Sequence, residues 1–158
     1  MKGMESSHFE AEQAPYEHFT FPNLLAEIGE IERVADLYAP NNKEKFIEAF
    51  QRIASKTEIE TLTEDAWRTL ENTDSYNILA GDWVTVTGHV QHYNAATNAD
   101  RDWQALRKAF ESGKAIDAPI IVKTKSGLHL VSGNTRLMMC RAFSIRPKVL
   151  VVNMEGLF

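Results

Sequence analysis

The stretch Leu130-Val131-Ser132-Gly133-Asn134-Thr135-Arg136-Leu137 constrains the fold more than any other part of this chain. An apolar strand is expected to end at the glycine, with a helix beginning directly after it. A chain that turns so abruptly presents the helix's first N–H groups, which have no acceptor within the helix, above the glycine. The positive end of the helix dipole lies there too, and Arg136 falls in the first turn. Ser132, Gly133, Asn134, Thr135 and Arg136 therefore form a candidate anion site, and a phosphate is its natural guest. Four polar side chains stand where a plain strand-to-helix turn needs one cap, although Gly133 alone is also explained by a turn that needs a positive φ.

The neighbouring segments extend this pattern. Ala118-Pro119-Ile120-Ile121-Val122-Lys123 is an apolar, β-branched run expected as a strand, Lys125-Ser126-Gly127 is a turn, and Leu128-His129-Leu130-Val131 returns as a second strand. Leu137, Met138, Cys140 and Phe143 make the apolar stripe of the helix, with Arg141 expected to point to solvent or to acidic helices. Arg146-Pro147-Lys148-Val149-Leu150-Val151-Val152 is a third strand. The order hairpin, Gly-x-x-Arg, helix, strand resembles the ParB/sulfiredoxin superfamily over roughly Pro119 to Met154, about a quarter of the chain.

In ParB partition proteins the corresponding motif is Gly-Glu-Arg-Arg and contacts a nucleotide's triphosphate. This chain keeps Gly133 and Arg136 but has Asn134 and Thr135 between them. In sulfiredoxins the motif is Gly-Cys-His-Arg, and its cysteine attacks an oxidised thiol. Asn134 occupies that position here, so that reaction is excluded, and Cys140, one and a half turns further along, cannot replace it. The Gly-Asn-Thr-Arg-Leu variant looks like the small ParB-like proteins often encoded by bacteriophages.

The resemblance implies a nucleoside triphosphate cofactor, with Mg2+ as its companion, and a nucleotide-dependent switch or DNA-metabolism accessory protein. It leaves two alternatives: a metal-dependent NTPase, phosphotransferase or nuclease using the same site, and a non-catalytic adaptor touching DNA or a protein through a basic carboxy-terminal face. No residue is assigned a catalytic role. Partition proteins that grip specific DNA carry a helix-turn-helix downstream, and none follows here before Phe158. The expectation is the nucleotide module alone.

Charge supports a phosphate-binding carboxy-terminal part. Residues 1–75 carry seven Lys/Arg against sixteen Asp/Glu, whereas from Pro119 onward there are six Lys/Arg against Glu155 alone. The simpler explanation is a solubilising acidic layer beside a basic one. One cysteine rules out an internal disulfide and a cysteine-based zinc site, and favours a reducing compartment. No apolar run approaches a membrane span, and Met1 to Glu10 does not resemble a signal peptide. A cytoplasmic protein is expected, in the host cytoplasm if phage-encoded, with no membrane partner.

The amino-terminal half reads as helical. Residues 1–20 are expected as a flexible tail. Pro22 opens a helix with Leu24, Ile28, Ile31, Ala35 and Tyr38 on one stripe, ending before Pro40. A second runs from Lys43 to Ser55, burying Phe46, Ile47, Phe50, Ile53 and Ala54. Thr63 caps a short helix carrying Trp67 and Leu70. The stripes are expected as core or lid, with partner docking as the alternative.

Gly81 to Gly88 alternates around valines and is expected as a strand. On a helix, His89-x-x-His92 would suggest a shared metal; on a strand the pair faces opposite ways, and no third ligand stands at a suitable spacing, so no metal site is assigned. Asn98 to Trp103 opens a helix with Trp103, Leu106 and Phe110 buried and Gly113 as its stop. Asp100 and Asp102 suit capping at its start, with divalent-cation binding beside a triphosphate as the alternative; Asp117 is a weaker candidate for that job. Cys140 reads as a small buried hydrophobe, and His129 as a solvated or hydrogen-bonded imidazole.

The resulting architecture is α+β. A flexible tail covers 1–20, a helical extension 21–75, and a ParB/sulfiredoxin-like domain 76–158, whose small mixed sheet comprises the Asp82, Pro119, Leu128 and Pro147 segments.

Overall fold

The computed structural model of the protein describes residues 14–97 and 102–158. The fold is α+β. Its helices are α1 (Ile28–Tyr38), α2 (Lys43–Ala54), α3 (Glu64–Thr69), α4 (Trp83–Thr97), α5 (Trp103–Glu111) and α6 (Asn134–Phe143). Its strands are β1 (Ala14–Pro15), β2 (Phe19–Thr20), β3 (Glu60–Thr61), β4 (Ile116–Asp117), β5 (Ile120–Thr124), β6 (Gly127–Ser132), β7 (Ile145–Arg146) and β8 (Lys148–Asn153). The chain divides into two compact units, each assembled from separated segments.

One unit comprises Thr20–Thr73, Asp117–Gly133 and Lys148–Phe158, and holds the principal sheet in the order β3-β8-β5-β6. β5 and β6 form an antiparallel hairpin around Lys125-Ser126, with Gly127 at a φ of 115°. β8 runs parallel to β5, and β3 lies antiparallel to β8. The register shifts between Ile120 and Ile121, placing Val131 at a bulge. The helices expected as an extension belong to this same unit. Ile31, Val34 and Ala35 of α1 and Phe46, Phe50 and Ala54 of α2 join Ile120, Val122, Val131, Leu150 and Val152 of the sheet in one buried cluster. A sheet face this apolar cannot stay in water, so the stripes on α1 and α2 find their partner within the unit.

α1 begins at Ile28 rather than near Pro22, because Asn23 Oδ1 accepts from Ala26 N at 3.1 Å and closes a separate turn first. α3 is capped as expected, Thr63 Oγ1 accepting from Ala66 N at 3.2 Å, and Trp67 is buried. After α3 the chain closes the edge of β6: Glu71 N donates to Leu128 O at 3.0 Å and Leu130 N donates to Glu71 O at 2.9 Å.

The other unit comprises the described residues up to Phe19 with Asp74–Ile116 and Asn134–Pro147. α6 packs against α4, α5, β7 and the 3₁₀ turn Ser75–Asn77. Phe143 meets Trp83 at 4.6 Å and Phe110 at 5.8 Å between ring centroids.

Four sequence expectations are corrected here. The segment expected as a strand after Gly81 is helix α4, so the Asp82 strand is absent and Glu60–Thr61 supplies the fourth strand of the sheet. Asp82 decides this: its Oδ1 accepts from Thr85 N at 3.1 Å and its Oδ2 from the Thr85 hydroxyl at 2.6 Å, a helix-start arrangement. Those bonds also hold the Asp82 carboxyl below its ordinary range. Val86 and Val90, four residues apart, are buried, which is the helical spacing and outweighs the weak β-preference of valine and threonine.

Part of the expected tail is ordered. β1 pairs in parallel with β7, β2 pairs with β4, and Tyr16 and Phe19 join an aromatic group with Phe110. Residues 1–13 lie outside the described set. Arg141 is not at the surface: it is 8% exposed, and its guanidinium carbon lies 4.4 Å from the centroid of the Tyr76 ring. His129 is not solvated either, being 8% exposed beside Tyr38.

Candidate functional site

The order hairpin, glycine, helix, strand read from residues 119–154 is realised as β5-β6, Gly133, α6 and β8. Gly133 has a φ of 113°, a conformation that L residues rarely adopt. A Cβ at this position would also sit 2.6 Å from the Pro119 Cβ and 2.9 Å from its Cα. The glycine is therefore required by the fold, whatever the turn binds.

α6 starts at Asn134, directly after a residue with no side chain to accept from its N–H groups, and its first turn contains no acidic residue. The side-chain amide nitrogen of Asn134 lies 3.0 Å from His89 Nε2 on α4. With the ring proton on Nδ1, Asn134 donates to Nε2. With it on Nε2, the amide turns over and Oδ1 accepts. Arg136 is half-buried in the same turn, whereas Thr135 is 7% exposed. Ser132 closes β6 and is half-buried.

The five residues singled out from sequence thus fall into different roles. Asn134 and Arg136 are half-buried on the first turn of α6, and Asn134 pairs with His89. Thr135 is buried, Gly133 serves the turn, and Ser132 belongs to the strand. His89 was missed as a partner because its segment reads as a strand. The Asp82-x-x-Thr85 cap was the signal that could have placed it on a helix.

This donor set suits an anion: backbone N–H, a side-chain amide and a guanidinium, without a neighbouring carboxylate in the turn. Among the described residues no group of three His, Cys, Asp or Glu is placed to hold a metal. His92 is exposed one turn beyond His89 on α4. Asp102 caps α5, accepting from Ala105 N at 3.0 Å, and Asp117 Oδ2 accepts from Asn23 N at 3.3 Å. Asp100 lies outside the described residues.

Elsewhere on the basic carboxy-terminal part, Lys123 pairs with Glu155 at 3.5 Å, and Arg141 is the buried cation described above. Neither offers an isolated surface charge. Cys140 is fully buried, and that burial pushes its thiol well above the usual range, which disfavours the reactive thiolate. Among the described residues no helix is long and apolar enough to cross a membrane.

No family model, curated protein or solved structure matches this chain.

Proposed function

We propose that this protein binds a phosphate group of a nucleoside triphosphate at the first turn of α6, as a nucleotide-dependent switch or accessory factor. One observation carries the reading. α6 opens directly after a glycine, with no carboxylate in its first turn, and with Asn134 and Arg136 both partly exposed there. A helix start with that composition attracts a negative charge through its dipole and supplies donors to hold it. The pairing of Asn134 with His89 adds a partner that orients the amide.

The test is titration calorimetry of the four ribonucleoside triphosphates, each with Mg2+, and of inorganic triphosphate. Wild type is compared with Arg136→Ala. Hydrogen bonds to charged groups contribute about 1.5–3 kcal/mol, so Arg136→Ala is expected to weaken binding about 10- to 150-fold. Its circular dichroism should match wild type. Preference for one nucleotide over inorganic triphosphate would establish base recognition. Failure of wild type to bind any of these ligands would overturn the reading.

A further inference from the structure

We propose that His129 is an acid-sensitive latch between α1 and β6, which releases the helix from the strand when its ring takes up a proton. This is independent of phosphate binding at α6 and rests on a different part of the molecule.

The side chain is 8% exposed, and its Nε2 is a buried polar atom with no hydrogen-bond partner. Buried polar atoms are nearly always bonded, so an unpartnered ring nitrogen needs a reason. A neutral imidazole can leave Nε2 as a bare lone pair, which is the less costly arrangement. An imidazolium carries N–H on both nitrogens, so Nε2 becomes a charged donor with no acceptor.

Every element packed on the ring bears on this choice. From α1, the Tyr38 ring stands edge-on to His129 at 5.6 Å and 90°, and Arg33 Nη2 donates to Val131 O at 3.2 Å, two residues along the strand. From β5, uncharged Val122 is the register partner. Along the other edge of β6, Glu71 bridges to His129 through the backbone. Burial and then the Arg33 charge disfavour the protonated ring, and Glu71 opposes them in part. The balance holds the ring below the ordinary histidine range.

The sign follows from linkage. Above about pH 6.5, the ring is neutral both folded and unfolded and contributes no pH dependence. Below that, the exposed ring binds a proton that the packed ring refuses, so stability is lost as the pH falls toward the folded midpoint. Within that window, opening should become up to about tenfold more favourable per pH unit. Tyr38 and Arg33 both contact β6 from α1, so α1 is the element that must move for the charged ring to reach water.

Two measurements on the full chain test this. The first follows the His129 ring by NMR from pH 8 to 4.5, in wild type, Arg33→Met and Glu71→Gln. The expected midpoint lies below 6.5, rising in Arg33→Met and falling in Glu71→Gln. The second measures amide exchange protection of α1 and β6, corrected for intrinsic rates. It should fall with acid in wild type and stay level in His129→Phe, which keeps an aromatic ring against Tyr38. A ring midpoint at or above 6.5, or the same acid loss of protection in His129→Phe, would overturn the proposal. If His129→Phe does not fold, the ring midpoints of wild type and Arg33→Met decide it.

Discussion

Phe50→Ala is expected to lower the stability of this protein by about 3–5 kcal/mol, the usual cost of removing a fully buried aromatic ring. Phe50 is 0% exposed and sits in the cluster formed by α1, α2 and the inner face of the sheet. Its ring lies 6.3 Å from Phe46, near parallel at 26°. Phe46 in turn meets Phe158 at 5.1 Å. Removing the Phe50 ring forfeits its transfer from water and leaves a void in a close-packed cluster shared with β5 and β8. Since a domain's whole stability is about 5–15 kcal/mol, the variant should be close to unfolding at room temperature. Urea titration reads the change directly, with Leu37→Ala, at a residue 57% exposed on the outer side of α1, as a control expected within about 0.5 kcal/mol. A loss at Phe50 no larger than at Leu37 would mean that α2 is not docked on the sheet.

Gly133→Ala should cost about 2–4 kcal/mol without any ligand present. Two effects combine: an L residue held at a φ of 113°, and a methyl group driven to 2.6 Å from the rigid Pro119 ring. Gly127 separates them, because it has a φ of 115° and no atom within 4 Å of an added Cβ. Gly127→Ala therefore carries the backbone strain alone, about 1–3 kcal/mol. The excess at Gly133 measures the collision with Pro119, and equal losses at the two glycines would show that Pro119 gives way. The comparison also guards the phosphate reading. Loss of nucleotide binding in Gly133→Ala would say little, since the turn itself is disturbed, whereas Arg136→Ala removes a donor and keeps Gly133 in place.

Much of the fold was legible before any coordinates, for local reasons. The stripes of α1 and α2, the Thr63 cap, the β5-β6 hairpin with its Lys-Ser-Gly turn and the β8 run each depend on a handful of neighbouring residues. The Gly81–Gly88 segment shows where local reasoning stops. Its valines and threonines alternate as a strand should, yet the Asp82 cap and the burial of Val86 and Val90 make it a helix. Polar side chains were harder still. Arg141 was expected to point to solvent or to acidic helices and His129 to be solvated or hydrogen-bonded, because charge and ring nitrogens favour polar surroundings, yet both are buried against aromatic rings supplied from distant positions. Of the candidate site, the start of the helix directly after Gly133 was legible. The inward packing of Thr135 and the contribution of His89 were not.

The chain by itself determined its elements of local period and its turn glycines, and with them the α+β class, because helix stripes, caps and hairpin turns are set by residues a few positions apart. Only the tertiary structure decided what each element covers. It placed α1 and α2 on the sheet, drew β3 in as the fourth strand, put His89 beside Asn134, and set Pro119 against Gly133. Those outcomes depend on contacts between residues far apart in the chain, where burial and steric fit outweigh the preferences of any single residue.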